Sequence, residues 1–223
     1  MALSDPPVNI VMFGRPGSGK SSLAERLGSR FGYRLVRTGE MLREAVRRDD
    51  FLGQRVADHL ATGNLVPDEL IYELLELNLR STVDSKLLFD GFPRTLGQVP
   101  VLKGFEERLG FKIDCFLDVA LSREDAVARM TGRRVCPSCG ATYHLIAKPP
   151  KVAETCDVDG AALERRKDDA LDVVNFRQKV YDEQTQPVID HYRDVAPGRC
   201  RSVNGNQSVE AVYQETLGAL NLV

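Results

Sequence analysis

Short apolar runs recur along the chain, and each is bounded by glycine or by polar residues. The first is Val8–Phe13, which leads directly into a glycine-rich segment. Runs of this length favour strands that are buried on both faces of a sheet. The same pattern predicts further strands at Leu35–Thr38, Lys86–Asp90, Asp114–Val119 and Arg201–Val203.

Segments with helical spacing of apolar residues lie between these strands. The longest is Leu171–Tyr192, in which Val174, Val180, Val188 and Tyr192 recur among polar residues. Further helices are predicted at Ser21–Phe31, from Thr38 onward, at Pro67–Leu79 and at Ser208–Leu220. The alternation of strands and helices predicts an α/β fold with a parallel sheet that helices cover on both faces.

Two segments lack this alternation and are interpreted as insertions in the core. Residues 38–66 are polar and helical in pattern, and their helical segment is expected to stop at Gly63-Asn64. Residues 133–169 are rich in cysteine, proline, glycine and charged residues, with only short alternating runs. We therefore expect one α/β core that carries two insertions.

The composition excludes several classes of protein. Of the 223 residues 43% are hydrophobic, enough for a sizeable core, yet no stretch approaches the length of a membrane-spanning helix. A net charge of −2 favours neither nucleic acid nor an anionic membrane as a partner. Residues 1–9 lack the basic region of a secretory signal, and the five cysteines fit a reducing compartment. We therefore expect a cytoplasmic protein, and a monomer, because nothing in the sequence indicates an obligate interface.

A glycine-rich loop follows the first predicted strand and precedes a helix. Its sequence, Gly14-Arg15-Pro16-Gly17-Ser18-Gly19-Lys20-Ser21, has the spacing of a P-loop. The glycines let backbone N–H groups converge on phosphate oxygens, and the helix adds the positive end of its dipole. Lys20 can bind the β- and γ-phosphates, while the Ser21 hydroxyl can bind Mg²⁺. The loop predicts binding of a nucleoside triphosphate; the alternative is a plain turn between strand and helix.

A carboxylate ends the predicted strand Lys86–Asp90. Gly14 follows the first strand, so both positions are expected at the carboxyl edge of the sheet, where ligands of such folds bind. A carboxylate at this place in a P-loop protein normally holds Mg²⁺, directly or through water. The alternative is that Asp90 caps a helix or turn.

Arginines occur at the borders of the two insertions and close to these loops. Transfer between two phosphate-bearing substrates requires cations that offset their repulsion and hold the charge developing on the γ-phosphoryl group. Arginine suits this task because its planar fork grips two phosphate oxygens and stays charged. Each arginine alone is more commonly a solvated surface charge, but together they predict a phosphate clamp: Arg43, Arg94, Arg133, Arg134, Arg166 and Arg177.

Three of the five cysteines form a pattern typical of a zinc ribbon. Cys136 and Cys139 form one knuckle, and Cys156 with Asp159 repeats the same offset, with a glycine directly after each pair. Three thiolates and a carboxylate complete a tetrahedron without an open position, which indicates a structural site for zinc, with iron as the alternative metal. Two other residues are alternatives for the fourth ligand: Asp157 and His144.

Together these motifs resemble the adenylate kinase family, specifically its long form with a zinc-bearing lid. The resemblance extends from Val8 to the last predicted helix. It is carried by GRPGSGKSS at 14–22, TGEMLR at 38–43, DGFPRT at 90–95 with Gln98 three residues on, GRRVCPSC at 132–139 and RKDD at 166–169. It implies a P-loop three-layer core of residues 1–36, 67–131 and 170–223, a helical AMP-binding insertion at 37–66, and a zinc-ribbon-like lid at 132–169.

The resemblance also implies roles for individual residues. ATP would be bound by Gly17, Ser18, Gly19, Lys20, Ser21, Ser22, Arg133, Thr142, Tyr143 and Gln207. AMP would be bound by Thr38, Arg43, Leu65, Val66, Gly91, Phe92, Arg94, Gln98, Arg166 and Arg177, with the Gln98 amide reading the adenine edge. Catalysis would rest on Lys20, Arg43, Arg94, Arg133, Arg166 and Arg177, and Asp168 and Asp169 would help to hold the lid closed.

The reaction implied is reversible, Mg²⁺-dependent phosphoryl transfer, ATP + AMP ⇌ 2 ADP, which serves adenine nucleotide homeostasis. The nearest alternative is a kinase for UMP, CMP or GMP, against which the full-length lid and Gln98 argue. A protein that binds nucleic acid through a zinc ribbon is a second alternative. It would need a basic face with aromatic residues, whereas Tyr143 is the only aromatic residue in 132–169 and acidic residues balance the charge, so no nucleic-acid partner is expected.

Three positions depart from the family pattern. Ser21-Ser22 stands where Gly-Thr is common, Arg15 occupies a position that is usually small, and Gln207 falls where a lysine is often found near the ATP base. The first eight residues extend beyond the usual start and are expected to be disordered.

Overall fold

A computed structural model describes residues 5–48, 51–62, 64–79, 86–146 and 148–223. The predicted helix stop at Gly63 and the first four residues lie outside this part of the chain. The elements follow in the order β1 (Ile10–Phe13), α1 (Lys20–Phe31), β2 (Tyr33–Arg37), α2 (Thr38–Arg48), α3 (Phe51–Thr62), α4 (Asp68–Leu79), β3 (Lys86–Asp90), α5 (Val99–Leu109), β4 (Cys115–Ala120), α6 (Arg123–Thr131), β5 (Arg133–Val135), β6 (Thr142–His144), α7 (Leu171–Val180), α8 (Gln186–Val195), β7 (Cys200–Asn204) and α9 (Val209–Ala219).

The central sheet has five parallel strands in the order β2-β3-β1-β4-β7. Met12 of β1 pairs with Asp90 of β3, and Phe13 pairs with Asp118 of β4. The loop that leaves β1 therefore emerges at the carboxyl edge of the sheet, between two carboxylates. This is the place where ligands of open parallel sheets bind.

Both faces of this sheet are covered. Val11 and Phe13 pack with α4, α5 and α8, whereas Ile10 and Met12 point to the other face and pack with α1 and α9. Alternate side chains of a strand point to opposite faces, so a run of apolar residues is needed where both faces are buried. The predicted α/β fold with a buried parallel sheet is thereby confirmed.

The two insertions differ in architecture. Helices α2 and α3 make up much of the first. In the second, β5 and β6 form an antiparallel hairpin, and Cys136, Tyr143, Cys156 and Leu163 form a small core of their own. This core contains two cysteines of the predicted metal site, so a metal bound there would contribute to the stability of the insertion.

The predicted helix Leu171–Tyr192 is interrupted by a π-helical turn at Tyr181–Thr185. Pro187 follows this turn and has no backbone N–H to donate to the carbonyl four residues earlier. The Gln186 N–H instead bonds to the carbonyl of Tyr181, five residues back. The prediction of one regular helix was wrong in this respect, since α8 resumes after the turn and continues to Val195.

Two other sequence expectations need correction. β2 extends from Tyr33 to Arg37, so the strand predicted at Leu35–Thr38 begins two residues earlier and ends one residue earlier than expected, whereas α2 begins at Thr38 as predicted. The expected disorder of the first eight residues is wrong for Pro7 and Val8. The carbonyl of Pro7 accepts a hydrogen bond from the Tyr33 hydroxyl (2.6 Å), and the Val8 N–H donates to Asp114 Oδ2 (3.0 Å).

None of the helices in the described part of the chain combines the length and the apolar character needed to cross a bilayer.

Candidate active site

The glycine-rich loop is packed tightly between β1 and α1. Gly17 has φ +93°, and a Cβ there would lie 2.8 Å from the carbonyl oxygen of Ala126 on α6. Gly19 precedes α1 with φ +88° and offers no side-chain cap to the first turn. The N–H groups of that turn are therefore free of a side-chain acceptor, which is the arrangement that helix N-termini present to phosphate.

Three polar side chains converge beside this loop. The Ser21 hydroxyl donates to Asp90 Oδ2 (2.5 Å), and Asp90 is itself buried. Burial lowers the pKa of Lys20 to about 8; Asp90 opposes this shift, whereas Arg94 and Arg177 add to it. Lys20 therefore lies in a site with excess positive charge, which favours an anion.

A cleft of about 80 Å³ joins the glycine-rich loop to the segment after β3. Its lining includes Lys20 of the first turn of α1, Gly91 and Arg94 after β3, and Arg177 of α7. Leu65, from the first insertion, also lines the cleft. Residues predicted to bind two different nucleotides thus meet in one cavity.

The predicted arginines gather around this cleft, with one exception. Burial lowers the pKa of Arg166 to about 10, and Arg133 and Arg43 act in the same direction. Arg94 and Arg177 likewise have lowered pKa values, chiefly through burial. The exception is Arg134, whose Nη1 donates to the carbonyl oxygens of Arg133 (2.8 Å) and Thr131 (3.4 Å).

Carboxylates at the end of the second insertion hold two of these arginines. Arg133 forms a bidentate pair with Asp169, at 2.8 Å from Nε and 2.5 Å from Nη2. Arg177 donates to Asp168 Oδ2 at 2.6 Å. Asp169 is completely buried, so this pair is shielded from solvent on the carboxylate side. The pairs fix the position of both guanidinium groups next to the cleft.

The segment after β3 needs glycine at its first position. Gly91 has φ +96°, and its carbonyl accepts from Thr38 Oγ1 (2.8 Å) and Arg94 Nε (2.8 Å). A Cβ at this position would lie 2.6 Å from Arg94 Nη2 and 2.7 Å from Thr38 Oγ1. The Arg94 guanidinium can therefore occupy this position only because residue 91 has no side chain.

Replacement of Gly91 by alanine is expected to lower catalytic activity by about 10²-fold, because displacing a positioned group by about 1 Å costs that much. Gly104→Ala on α5 is the matched control, since a Cβ there meets no atom within 4 Å. Initial rates of both variants and circular dichroism spectra test the prediction. Equal rates for the two variants would contradict it.

Gln98 lies in the same region and is buried. Its Oε1 accepts from the Arg94 N–H (2.7 Å), and its Nε2 donates to Asp68 Oδ1 (2.5 Å). Asp68 was not predicted as a site residue, since its position after Pro67 indicated only the first turn of a helix. The side chains of Val66 and Phe92 are buried in the core, so their predicted contacts with AMP would fall to the backbone.

The structure also places Arg15, which the sequence left unassigned. Its Nη1 lies 2.6 Å from Asp182 Oδ1, and its guanidinium carbon lies 4.9 Å from the centre of the Tyr181 ring. Gln178 Nε2 donates to the Pro16 carbonyl (3.0 Å), and Thr185 Oγ1 donates to the Arg94 carbonyl (3.0 Å). The helical segment that contains the π-helical turn thus contacts both the glycine-rich loop and the segment after β3, a role with no local sequence signal.

Three residues predicted to contact ATP have other partners here. Tyr143 is buried, with its hydroxyl 3.5 Å from Cys156 Sγ and accepting from the Asp157 N–H (2.7 Å). Thr142 is exposed on β6. Gln207 Nε2 donates to Glu215 Oε2 (2.5 Å) and to the Asn204 carbonyl (3.2 Å). Their contacts with ATP stay predictions.

The second insertion brings the four predicted metal ligands together. The ligand atoms of Cys136, Cys139, Cys156 and Asp159 all lie within 4.8 Å of one another. The Sγ atoms of Cys139 and Cys156 are 3.6 Å apart. Two thiolates bound at about 2.3 Å in a tetrahedral zinc site would be separated by about 3.8 Å, so the spacing fits zinc.

Backbone geometry supports the same four residues. The Cys139 N–H donates to Cys136 Sγ (3.4 Å), and the Val158 N–H donates to Cys156 Sγ (3.4 Å). The alternative ligand Asp157 instead accepts from the Lys151 N–H (2.9 Å). The first sulfur atom of each knuckle thus accepts a backbone N–H, from the residue three positions on in one knuckle and two positions on in the other, which suits a sulfur that binds a metal.

Comparison with known proteins agrees with this geometry. The model of the adenylate kinase family matches residues 12–196. An adenylate kinase from Shouchella clausii is 38% identical over 215 residues, which is 96% of this chain and 98% of that protein. An adenylate kinase from Archaeoglobus fulgidus is 39% identical over 93% of this chain and 95% of its own length. One from Caldicellulosiruptor bescii is also 39% identical, over 96% of this chain and 100% of its own length. The resemblance seen in the motifs is confirmed, and the chain belongs to the adenylate kinase family.

Proposed function

We propose that this enzyme transfers the γ-phosphoryl group of ATP reversibly to AMP, giving two ADP, and that it requires Mg²⁺. The relatives at 38–39% identity are named adenylate kinases. The observation that carries the proposal is the convergence of Lys20, Arg94 and Arg177 at one cleft, with Arg133 near enough for its charge to act on Lys20. Such a set of cations suits the negative charge of two nucleotides.

The two nucleotides bind on opposite sides of this cleft. ATP lies along the backbone of Gly17–Ser22, with Lys20 at its β- and γ-phosphates and with Arg133, Thr142, Tyr143 and Gln207 completing the site. AMP lies against the segment Gly91–Arg94, with Arg43, Arg166 and Arg177 around its phosphate. Thr38, Leu65, Val66 and Gln98 complete the AMP site. This arrangement supports in-line transfer between the two phosphates.

Mg²⁺ is held near Ser21 and Asp90. The two oxygen atoms are 2.5 Å apart at the carboxyl edge of the sheet, next to Lys20. Hydroxyl and carboxylate oxygens, with waters, are the ligands that Mg²⁺ prefers. When bound, the ion would offset charge on the β- and γ-phosphates, while Asp90 orients the Ser21 hydroxyl.

The chain divides into a core of residues 1–36, 67–131 and 170–223, an AMP-binding insertion of 37–66 and a lid of 132–169. The separate small core of the second insertion supports this division. Zinc, held by the three cysteines and Asp159, stiffens the lid rather than taking part in transfer. The lid excludes water from the cleft, which suppresses hydrolysis of ATP.

The enzyme works as a monomer in the cytoplasm and maintains the balance of adenine nucleotides. The free thiols of the predicted metal site suit a reducing compartment.

The decisive experiment measures ADP formation from MgATP with AMP, GMP, CMP and UMP as separate acceptors. We expect a strong preference for AMP, and a loss of about 10²- to 10³-fold in the Arg94→Ala variant. The matched control is Arg108→Ala, which removes an exposed arginine paired with Glu76 on the surface. Equal or better use of another acceptor would contradict the assignment of AMP as the acceptor. The absence of ADP formation with every acceptor would contradict the proposed reaction itself.

A further inference from the structure

Asp68, in the first turn of α4, contacts the side chain of Gln98 across 30 residues of sequence. The Gln98 Nε2 donates to Asp68 Oδ1 at 2.5 Å. The Tyr72 hydroxyl lies one turn later on α4, where burial and the neighbouring Asp68 carboxylate raise its pKa. The Gln98 amide thus donates to a carboxylate that comes from a different element of the fold.

The two partners of the Gln98 amide fix its orientation. A carboxylate only accepts hydrogen bonds, so it faces the amide nitrogen, and a backbone N–H only donates, so the Arg94 N–H faces Oε1 (2.7 Å). Reversing the amide would set Oε1 against a carboxylate and the NH₂ group against an N–H. Both contacts would then be repulsive.

The backbone of Gln98 is fixed as well. Its N–H lies within hydrogen-bonding distance of the Thr95 carbonyl (3.1 Å) and the Thr95 hydroxyl (3.3 Å), which cap the short 3₁₀ helix Leu96–Gln98. The side chain is buried. The backbone and the burial of Gln98 therefore leave its amide group free only to rotate about the Cγ–Cδ bond, and Asp68 acts on that rotation.

After its hydrogen bonds to Asp68 and to the Arg94 N–H, the Gln98 amide still has one N–H on Nε2 and one lone pair on Oε1. The two bonds fix which of these two groups lies on which side of the amide. Adenine presents an acceptor at N1 and a donor at its 6-amino group, which this arrangement matches. Guanine presents the reverse, a donor at N1 and an acceptor at O6. A fixed amide can therefore discriminate between the two purines, whereas an amide free to rotate can adapt to both.

We propose that Asp68 is a positioning residue that holds the Gln98 amide in the orientation selecting adenine over guanine in the acceptor nucleotide. This inference rests on the proposed function, in which Gln98 reads the acceptor base. Asp68 itself contacts Gln98, so it acts on the base through Gln98.

The test compares kcat/KM for AMP and for GMP in the wild type, Asp68→Asn and Glu69→Gln. Asparagine keeps the shape of aspartate but can face Gln98 with either oxygen or nitrogen, so the amide can reverse. Glu69 is the matched control, because it lies exposed in the same turn of α4. We expect the AMP/GMP ratio of Asp68→Asn to fall about ten- to a hundredfold, as for the loss of a hydrogen bond to a charged group, and the control to keep the wild-type ratio.

Two results would overturn the inference. One is an AMP/GMP ratio of kcat/KM that is unchanged in Asp68→Asn, including the case in which kcat/KM falls equally for both acceptors. The other is the same change of this ratio in the Glu69→Gln control. Calorimetric Kd values for AMP and GMP with the wild type and with Asp68→Asn decide the point independently of turnover. Asp68→Ala, which also removes the carboxylate, serves if the asparagine variant does not fold. A wild type that forms no ADP from any acceptor would overturn the proposed function instead.

Discussion

Replacement of Lys20 by methionine is expected to lower kcat/KM for MgATP by roughly 10²- to 10³-fold, the cost of removing one preorganised charge from such a site. Methionine keeps the unbranched stem of the side chain, one atom shorter, but removes the cation that faces the phosphates. The loss should appear with every acceptor nucleotide, because Lys20 acts on the donor. Steady-state rates at varied MgATP concentration provide the measurement.

The pH dependence of kcat/KM tests the role of Lys20 in a second way. Burial and the neighbouring arginines lower the pKa of Lys20 to about 8, so its charge in the free enzyme is lost as the pH rises through that value. We expect kcat/KM for MgATP to fall on the alkaline side with an apparent pKa near 8, and this limb to be absent in Lys20→Met. The protonated form is disfavoured by its surroundings, so the variant should have a Tm at least as high as that of the wild type.

The control for this variant is Lys103→Met, which removes an exposed lysine on α5. It should keep the wild-type rate and the wild-type pH profile. A Lys20→Met enzyme with more than a tenth of the wild-type kcat/KM would contradict the assigned role. An alkaline limb that persists in the variant would assign that pKa to another group.

Removal of the lid metal is expected to lower thermal stability more than it lowers catalysis at moderate temperature. The four ligand atoms lie within 4.8 Å, and two of the ligands, Cys136 and Cys156, belong to the small core of the lid. Without the metal, the cysteines take up protons again and the two knuckles lose their link. For Cys156→Ser we expect the Tm to fall by about 5–10 °C, which corresponds to a loss of roughly 2–3 kcal/mol.

Metal analysis and calorimetry test this prediction together. The wild type should contain one equivalent of zinc and Cys156→Ser should contain none. Cys200→Ser is the matched control, because it removes a thiol that lies outside the cluster and should keep the metal. An enzyme that stays folded after chelation but is inactive at low temperature would show that the metal serves transfer itself. An unchanged Tm on loss of the metal would show that the lid does not depend on it.

Most of the core could be predicted from the sequence because its signals are local. The apolar run before Gly14 and the run before Gly91 are strands whose faces are both buried, and the glycine spacing marks the loop between β1 and α1. The two knuckles of the metal site could be predicted for the same reason, since the pattern of each lies within five consecutive residues. Their ligand atoms do converge, with Asp159 rather than Asp157 completing the cluster.

Helices α5 and α6 were not predicted, although both carry end signals. Ser122 precedes α6, and its hydroxyl accepts from the Asp125 N–H (3.1 Å). Gly110 follows α5 with φ +71°, the conformation that ends a helix. The capping pattern could therefore have identified these helices, whereas apolar periodicity alone was too weak. The π-helical turn is different, because the proline indicates a disturbance but not its form.

The sequence by itself determined the class of fold, the place of the glycine-rich loop and the family, and it predicted the arginine set, because each depends on residue types at fixed short spacings. The tertiary structure alone decided which of these side chains meet. Asp68 contacts Gln98, Asp182 contacts Arg15, and the pairs of Arg133 and Arg177 with carboxylates of the second insertion orient two of the predicted clamp residues. Those contacts depend on strand order and on how helices pack across the sheet, and these long-range arrangements leave no periodic trace in the local sequence.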